Sequence, residues 1–309
     1  MNLSIIIPNY NGEVLLKKNL PRVIEAAKFY HGDVEIIIVD DASTDESIST
    51  VSNLKPQISN LKLIKNERNL GFARSVNRGV EDASGDILVL LNTDVAPEKN
   101  FLEPLIEHFD DERIFAVGCM DKSIEKSKAV LRGRGIGRWQ KGFLVHQRGE
   151  VGKNDTLWVS GGSGSFRKFI WDKLSGFNEL YSPFYWEDID LSYRALKSGY
   201  KIQFEPKSIV VHEHEKGSIK SKYSDYEIKV VSYRNQFIFV WENATDFDLQ
   251  ILHILWLPYH LIMAILRLDS AFFLGFFRAL ILFPKIIKSS FRAQKLFSKT
   301  DREITEFIE

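Results

Sequence analysis

The sequence predicts an α/β protein with a mostly parallel central sheet and amphipathic helices at its C-terminal end. Three observations carry this. Short apolar runs begin at residues 3, 35, 61 and 87 (Leu3–Ile7, Glu35–Val39, Leu61–Lys65, Ile87–Leu91), and helix-period stretches such as Val14–Lys28 and Phe72–Ala83 lie between them. The runs are continuous rather than alternating, as expected of parallel strands buried on both faces. From Asp246 the composition shifts to long aromatic-rich apolar segments.

Each of the first four strands ends in a polar cluster, and ligands on such sheets collect at the carboxyl ends of the strands. After strand one comes Pro8-Asn9-Tyr10-Asn11-Gly12, and after strand two Asp40-Asp41-Ala42-Ser43-Thr44-Asp45. After strand three comes Asn66-Glu67-Arg68-Asn69, and after strand four Asn92-Thr93-Asp94. Adjacent strand residues point to opposite sides, so one of Asp40 and Asp41 is expected to face the crevice, where it could accept from a pyrimidine N3–H or a ribose hydroxyl. The competing reading gives these residues to the turn, with Ser43 or Asp45 capping the next helix. Asp94 could hold a divalent cation against a diphosphate, and His212 or His214, after the apolar run Ser208–Val211, could add an imidazole of the kind that suits Mn²⁺. Each histidine alone is otherwise an ordinary core or surface residue.

The middle of the chain, roughly 120–182, carries two glycine-rich stretches, Arg132–Arg138 and Gly161–Gly164. Neither has the strand–turn–helix spacing of a dinucleotide-binding fingerprint. They read as loops or hairpin turns, or as places where backbone approaches a ligand closely; Gly162 and Ser163 are thereby acceptor-side candidates. Tyr181–Asp190 (YSPFYWEDID) embeds acids in aromatics before the helical pattern Leu191–Lys197. Apolar burial raises a carboxylate pKa and a helix N-terminus lowers it, a balance suited to a general base; the alternative is that Glu187, Asp188 and Asp190 merely complement the helix dipole.

In Ile251–Leu266 and Ala271–Ile287 the apolar runs are interrupted by His253, Pro258, His260, Arg278 and Pro284. His253, His260 and Arg267, seven apart, share one helical stripe. A narrow polar stripe on an apolar helix predicts a helix lying in a membrane interface rather than crossing it. Residues 267–299 hold seven basic residues against one acid, Asp269, which favours anionic lipid. A short transmembrane hairpin, a dimer surface and simple packing on the main domain are the alternatives.

Over the whole chain, 41 Lys+Arg balance 41 Asp+Glu, which excludes a nucleic-acid-coating basic protein, and 44% hydrophobic residues exclude a disordered one. The single cysteine, Cys119, and the lack of a basic leader before Pro8 point to a reducing, cytoplasmic compartment.

Together these motifs resemble the family-2 inverting glycosyltransferases of the GT-A fold. The resemblance rests on SIIIPNYNG (4–12), VDDASTD (39–45), NERNLGFARSVNRG (66–79), GDILVLLNTD (85–94), WEDIDLSYRALKSGY (186–200) and VHEH (211–214), in family order through about residue 215. The tail looks like that of membrane-associated members, including rhamnosyltransferase-like ones, that elongate bacterial surface polysaccharides.

The resemblance implies a catalytic domain over 1–230, with a donor half of about 1–119 and an acceptor half of about 120–230, and a helical membrane-associating segment over 231–309. It implies a nucleotide-sugar site at Pro8, Asn9, Tyr10, Asn11, Asp40, Asp41, Ser43, Asn66, Asn69, Arg74, Asn92, Thr93 and Asp94. Asp94 would be a ligand for Mn²⁺ or Mg²⁺, with His212, or alternatively His214, completing the shell. Asp188 takes the general-base position with Glu187 beside it, and Trp186 lies on the acceptor side. Asn92 departs from the fuller Asp-x-Asp motif.

The expected partners are a nucleotide-diphospho-sugar, UDP- or dTDP-linked by preference, a glycan or lipid-linked acceptor and, through 251–299, the inner face of the cell membrane. No nucleic acid is expected, and a homo-oligomer is left open. A catalytically inactive scaffold and a sugar-nucleotide pyrophosphorylase are the competing readings, the second disfavoured because the loop after strand one is PNYNG rather than glycine-rich and basic.

Overall fold

The structure, a computed structural model, describes residues 1–54, 60–125, 128–212 and 222–305, with residues 124, 125, 128 and 129 described by backbone alone. The first half follows the predicted alternation: β1 (Leu3–Asn9), α1 (Glu13–Phe29), β2 (Val34–Asp40), α2 (Ser47–Leu54), β3 (Leu61–Lys65), α3 (Phe72–Glu81) and β4 (Ile87–Leu91). These four strands form a parallel block in the order β3-β2-β1-β4. Alternate residues of one strand enter different cores. Ile5 and Ile7 of β1 pack with Leu16, Leu20 and Val23 of α1, whereas Ile6 packs with Ala73, Val76 and Val80 of α3. Burying such a side chain on either face stabilises the fold by about 1.5–3 kcal/mol, which is why the strands read as unbroken apolar runs.

The second half extends the same sheet. β5 (Val95–Pro97) and α4 (Leu102–Ile106) lead to a long β6 (Ile114–Glu125), β7 (Lys128–Arg132) and the hairpin β8 (Gly135–Gln140)–β9 (Phe143–Arg148). Then come β10 (Ser163–Arg167), α5 (Lys168–Lys173), α6 (Glu187–Lys197) and β11 (Lys201–His212). The full order is β3-β2-β1-β4-β10-β6-β11-β5, with β7 paired to β6 and β8–β9 forming a separate ribbon. β10 runs antiparallel between β4 and β6. The glycine-rich stretch at 161–164 is therefore the entry into a central strand, and the stretch at 132–138 leads from β7 into the β8–β9 hairpin.

Four helices close the described chain: α7 (Asp225–Asn243), α8 (Phe247–Leu266), α9 (Ser270–Gln294) and α10 (Asp301–Thr305). Position 230/231 falls within α7. A third core joins Phe237, Phe239 and Val240 of α7, Ala264 of α8 and Phe272 and Ala279 of α9 to Trp186, Ile189 and Tyr193 around α6. α8 and α9 run through Pro258 and Pro284 without ending, so each is long and apolar enough by length and composition to cross a membrane. The histidine stripe of α8 has a different role from the one expected. His253 Nδ1 donates to the Gly142 carbonyl at 2.8 Å and His260 Nε2 to the Lys141 carbonyl at 2.8 Å, so the stripe docks the helix on the β8–β9 turn. The outward face is the apolar one, with Ile254, Leu255, Ile262 and Ile265 exposed.

Candidate active site

The crevice opens where β1 and β4 part. β1 pairs with β4 only as far as Ile6–Leu90, but with β2 as far as Asn9–Asp40. Pro8, which has no N–H to give, sits just beyond the β1–β4 ladder, where the sheet has a topological switch point.

The loops at this edge are stitched to one another. Asn9 Nδ2 donates to Asp40 Oδ1 at 2.9 Å and to Ser43 Oγ at 3.1 Å, and Ser43 N donates to Asp40 Oδ2 at 3.0 Å. Asn11, in the left-handed region at φ 50°, accepts from Thr44 N at 2.7 Å. Asp41 accepts from Leu70 N and Gly71 N at 2.8 and 2.9 Å and from Asn66 Nδ2 at 2.8 Å. Both acids are buried and both carboxylates engage protein donors, so Asp40 braces the β1 loop and Asp41 the β3 loop. Asp45 caps α2, accepting from Ser47 N at 3.0 Å. Asn69 Nδ2 reaches the Asp41 carbonyl at 3.4 Å. Arg74 pairs with Glu179 at 2.7 Å, joining α3 to the turn before α6. Tyr10 lies under the Lys222 ammonium, 4.6 Å from its ring centre.

Across the crevice, β10 links the end of β4 to α6. Asn92 N donates to the Gly162 carbonyl at 2.9 Å, and Gly161 N donates to Asp188 Oδ2 at 3.4 Å. A Cβ on Gly162 would stand 2.5 Å from Asn92 Nδ2, so glycine lets the two backbones approach. Ser163 is buried opposite Leu91 in the β10–β4 ladder. Thr93 accepts through its carbonyl from Asn19 of α1 at 2.8 Å.

The acids of the WED motif are held under backbone strain. Tyr185 and Trp186 both adopt positive φ, 69° and 76°, a conformation that costs L-residues on the order of 1–3 kcal/mol each. Asn235 of α7, fully buried, restrains them: its Nδ2 lies 2.9, 2.9 and 2.8 Å from the carbonyls of Tyr181, Phe184 and Tyr185, while its Oδ1 accepts from Arg234. Trp186 is buried against Phe239 and His146. Burial, then the neighbouring Asp188, pushes the Glu187 carboxyl up to about 8, and Glu187 Oε2 has no hydrogen-bond partner among the described residues. Burial also raises Asp188, against the opposing pull of the Ile189 and Gly161 amides. Asp190 turns inward to Arg194 at 2.7 Å.

Asp94 and His212 are brought together: His212 Nε2 lies 3.2 Å from Asp94 Oδ2, and its Nδ1 lies 3.1 Å from Asp121 Oδ2. Burial works against the charged ring but is outweighed by its bonds to Asp121 and Asp94, which hold it up at about 9. Two carboxylates and an imidazole are the donor kinds that suit Mn²⁺, although among the described residues no three such side chains are arranged to hold an ion in the present rotamers. To coordinate, His212 has to release one of its carboxylates. His214 lies outside the described residues. Sequence reasoning missed Asp121 and Asn235. Asp121 meets His212 through the β6–β11 pairing, and Asn235 acts from a helix far along the chain; neither has a local signal.

The α/β sheet, with its polar crevice at the switch point and a carboxylate pair on the facing helix, has the GT-A fold, as the solved structures it is similar to show. The chain belongs to glycosyl transferase family 2, whose model matches residues 4–174. It is 25% identical over 220 residues to the O-antigen chain rhamnosyltransferase RfbN of Salmonella typhimurium, covering 69% of this chain and 67% of that one. Among solved structures it is similar to GalNAc-T7 with UDP, GalNAc and Mn²⁺ (TM-score 0.60, 18% identity, 78% of this chain and 48% of that one). It is also similar to the mannosyltransferase PcManGT of Pyrobaculum calidifontis with GDP-Man and Mn²⁺ (TM-score 0.57, 18% identity, 96% and 84%). These likenesses bear out the family and fold expected from the motifs.

Proposed function

We propose that the protein is an inverting glycosyltransferase that moves a sugar from a nucleotide-diphospho-sugar to a hydroxyl of a glycan or lipid-linked acceptor in cell-surface polysaccharide synthesis. The observation that carries the reading is the Gly161–Gly162 segment, bonded to Asn92 on one side and to Asp188 on the other. It gives the crevice and the carboxylate pair a common wall, as a displacement between two bound substrates needs.

In this reading the β1, β2 and β3 loops receive the nucleoside, UDP or dTDP by preference, at Pro8–Asn11, Ser43, Asn69 and Arg74, with the buried Asp40, Asp41 and Asn66 holding those loops in place rather than facing the crevice as expected. Asn92, Thr93 and Asp94 face the diphosphate. Asp94 and His212 would hold Mn²⁺ or Mg²⁺, which supplies positive charge to the departing diphosphate. The Mn²⁺-bearing relatives of the same fold support that cofactor. Asp188 takes the proton of the acceptor hydroxyl, whose oxygen forms a bond to the anomeric carbon as the bond to the diphosphate oxygen breaks and the nucleoside diphosphate leaves with the electron pair. One displacement inverts the anomeric centre, so one base suffices. Glu187, kept protonated by its burial, acts as neighbour and acceptor contact. The likeness to RfbN supports a polysaccharide acceptor, and the exposed apolar faces of α8 and α9, with the basic residues of 267–299, support attachment to the inner face of the membrane.

The Asp188→Asn variant tests the assignment. Donor binding should be kept and turnover should fall about 10²–10⁴-fold; near-normal turnover would remove Asp188 from the role.

A further inference from the structure

The hairpin β8–β9 connects two places that the proposed reaction leaves unexplained. At its base His146 stands edge-on to Trp158 and Trp186, with ring centres 5.3 and 5.0 Å away, beside the WED acids. At its tip is a two-residue turn, Lys141–Gly142, with φ of 49° and 79°, as the primed hairpin turns require. The turn is seated on α8 so closely that a Cβ on Gly142 would stand 2.6 Å from His253 Cα. Along β9, Phe143 beside the turn and His146 are about 10 Å apart, the reach of a short oligosaccharide.

Between the tip and helices α7–α9 lies a cleft of about 310 Å³ lined by Lys141, Tyr233, Gln236, His260 and Arg267, among others. Its one acid, Asp269, is already satisfied by Lys229 and by the Tyr233 hydroxyl, both at 2.8 Å. Lys141 reaches only the Tyr259 hydroxyl, at 3.2 Å, and the faces of Tyr259 and Trp256; neither Lys141 nor Arg267 has a carboxylate partner among the described residues. The cleft therefore carries uncompensated positive charge. Beside it, Leu266 is 71% and Leu268 90% exposed, an arrangement that costs free energy in water and none against acyl chains. Trp256 and Tyr259, with Lys141 over their rings, are the amphipathic residues that settle at a lipid headgroup boundary.

We propose that this cleft binds the phosphate headgroup of a lipid, with Lys141 and Arg267 as its cationic contacts and the hydrocarbon chain along the exposed face of α8. Resting on the transferase reading above, the lipid is the carrier of the acceptor, and the hairpin is the rail along which its glycan runs from the membrane to Trp186 and Asp188. The apolar faces of α8 and α9 supply general attachment; the cleft supplies selection for a phosphate that projects from the bilayer.

The test uses the full chain and flotation with three kinds of phosphatidylcholine vesicle: plain, with a few mole per cent polyprenyl phosphate, or with phosphatidylglycerol at equal surface charge. The wild type should prefer polyprenyl phosphate to phosphatidylglycerol. The double variant Lys141→Gln/Arg267→Gln should lose about tenfold or more of its affinity for the first and no more than about twofold for the second. Both residues are at the surface, and nucleotide binding measured in parallel should be unchanged. Equal binding to both anionic vesicles, or a preference that survives the double substitution, would overturn the site. Inorganic phosphate that binds the wild type as tightly without vesicles would assign the cleft to a soluble phosphate and overturn the lipid. A wild type that binds no nucleotide yet keeps the lipid preference would end the transferase reading and leave the site standing.

Discussion

Replacing Glu187 by glutamine should change how stability depends on pH. The wild-type carboxyl is 7% exposed, has one oxygen without a partner among the described residues, and is pushed up to about 8 by burial and by Asp188. The unfolded chain releases the same proton near the ordinary glutamate value of about 4.3. Across that window the folded state holds a proton that the unfolded state has lost, so stability is greatest on the acid side and declines as pH rises, by up to about 1.4 kcal/mol per pH unit. Between about pH 5 and 7.5 the loss is on the order of 3 kcal/mol. Glu187→Gln has nothing to titrate there. Its stability relative to wild type should therefore grow by about that amount over the same interval, read from urea unfolding followed by tryptophan fluorescence without nucleotide. Glu242, also raised to about 8 by burial, is present in both proteins and cancels. A stability gap that stays constant between the two pH values would refute the protonated, buried state of Glu187.

Two further substitutions probe the supports of the site. Asp301 and Lys197 are fully buried partners at 2.9 Å, and Asp301 also accepts from Tyr193 OH, Thr245 N and Asp246 N. Asp301→Ala leaves an ammonium buried without its countercharge and should destabilise the protein by about 3–5 kcal/mol, seen as a lowered melting temperature. Asn235→Ala frees the strained Tyr185–Trp186 backbone; nucleotide affinity by calorimetry should stay within about twofold while kcat falls tenfold or more, of the order expected for about 1 Å of misplacement in a catalytic group. Equal losses in binding and turnover would mean that Asn235 supports the whole domain rather than the WED loop.

What the sequence disclosed follows from how local each signal is. β1 to β4 were legible because a strand covered by helices on both faces has to be apolar at every position, and the residues after it have to be polar because they line the exposed sheet edge. That reasoning pointed to the edge that carries Asp94; Asp188 was singled out instead by the acids set among aromatics before a helix and by the family resemblance. β10 gave no strand signal because its first residues, Ser163-Gly164-Ser165, are small: a Cβ on Gly164 would stand 2.4 Å from Val159 Cγ1, so the crowding that admits the strand between β4 and β6 also removes the β-branched residues that announce one. The histidine stripe of α8 was visible, but its direction was not. Periodicity identifies residues that share a face, and only the long-range contact with Lys141 and Gly142 decides that His253 and His260 of that stripe turn toward the hairpin. Asn235 sits in mid-helix among aromatics, and its role arises from three carbonyls fifty residues earlier in the chain.

Calorimetric titration of UDP, dTDP and GDP, with and without Mn²⁺ or Mg²⁺, into the wild type and Asp94→Ala tests the central claim most directly. The account predicts metal-dependent binding of one nucleotide, with UDP or dTDP preferred, and its loss in the variant. Absence of binding by all three nucleotides in the presence of either metal would contradict it.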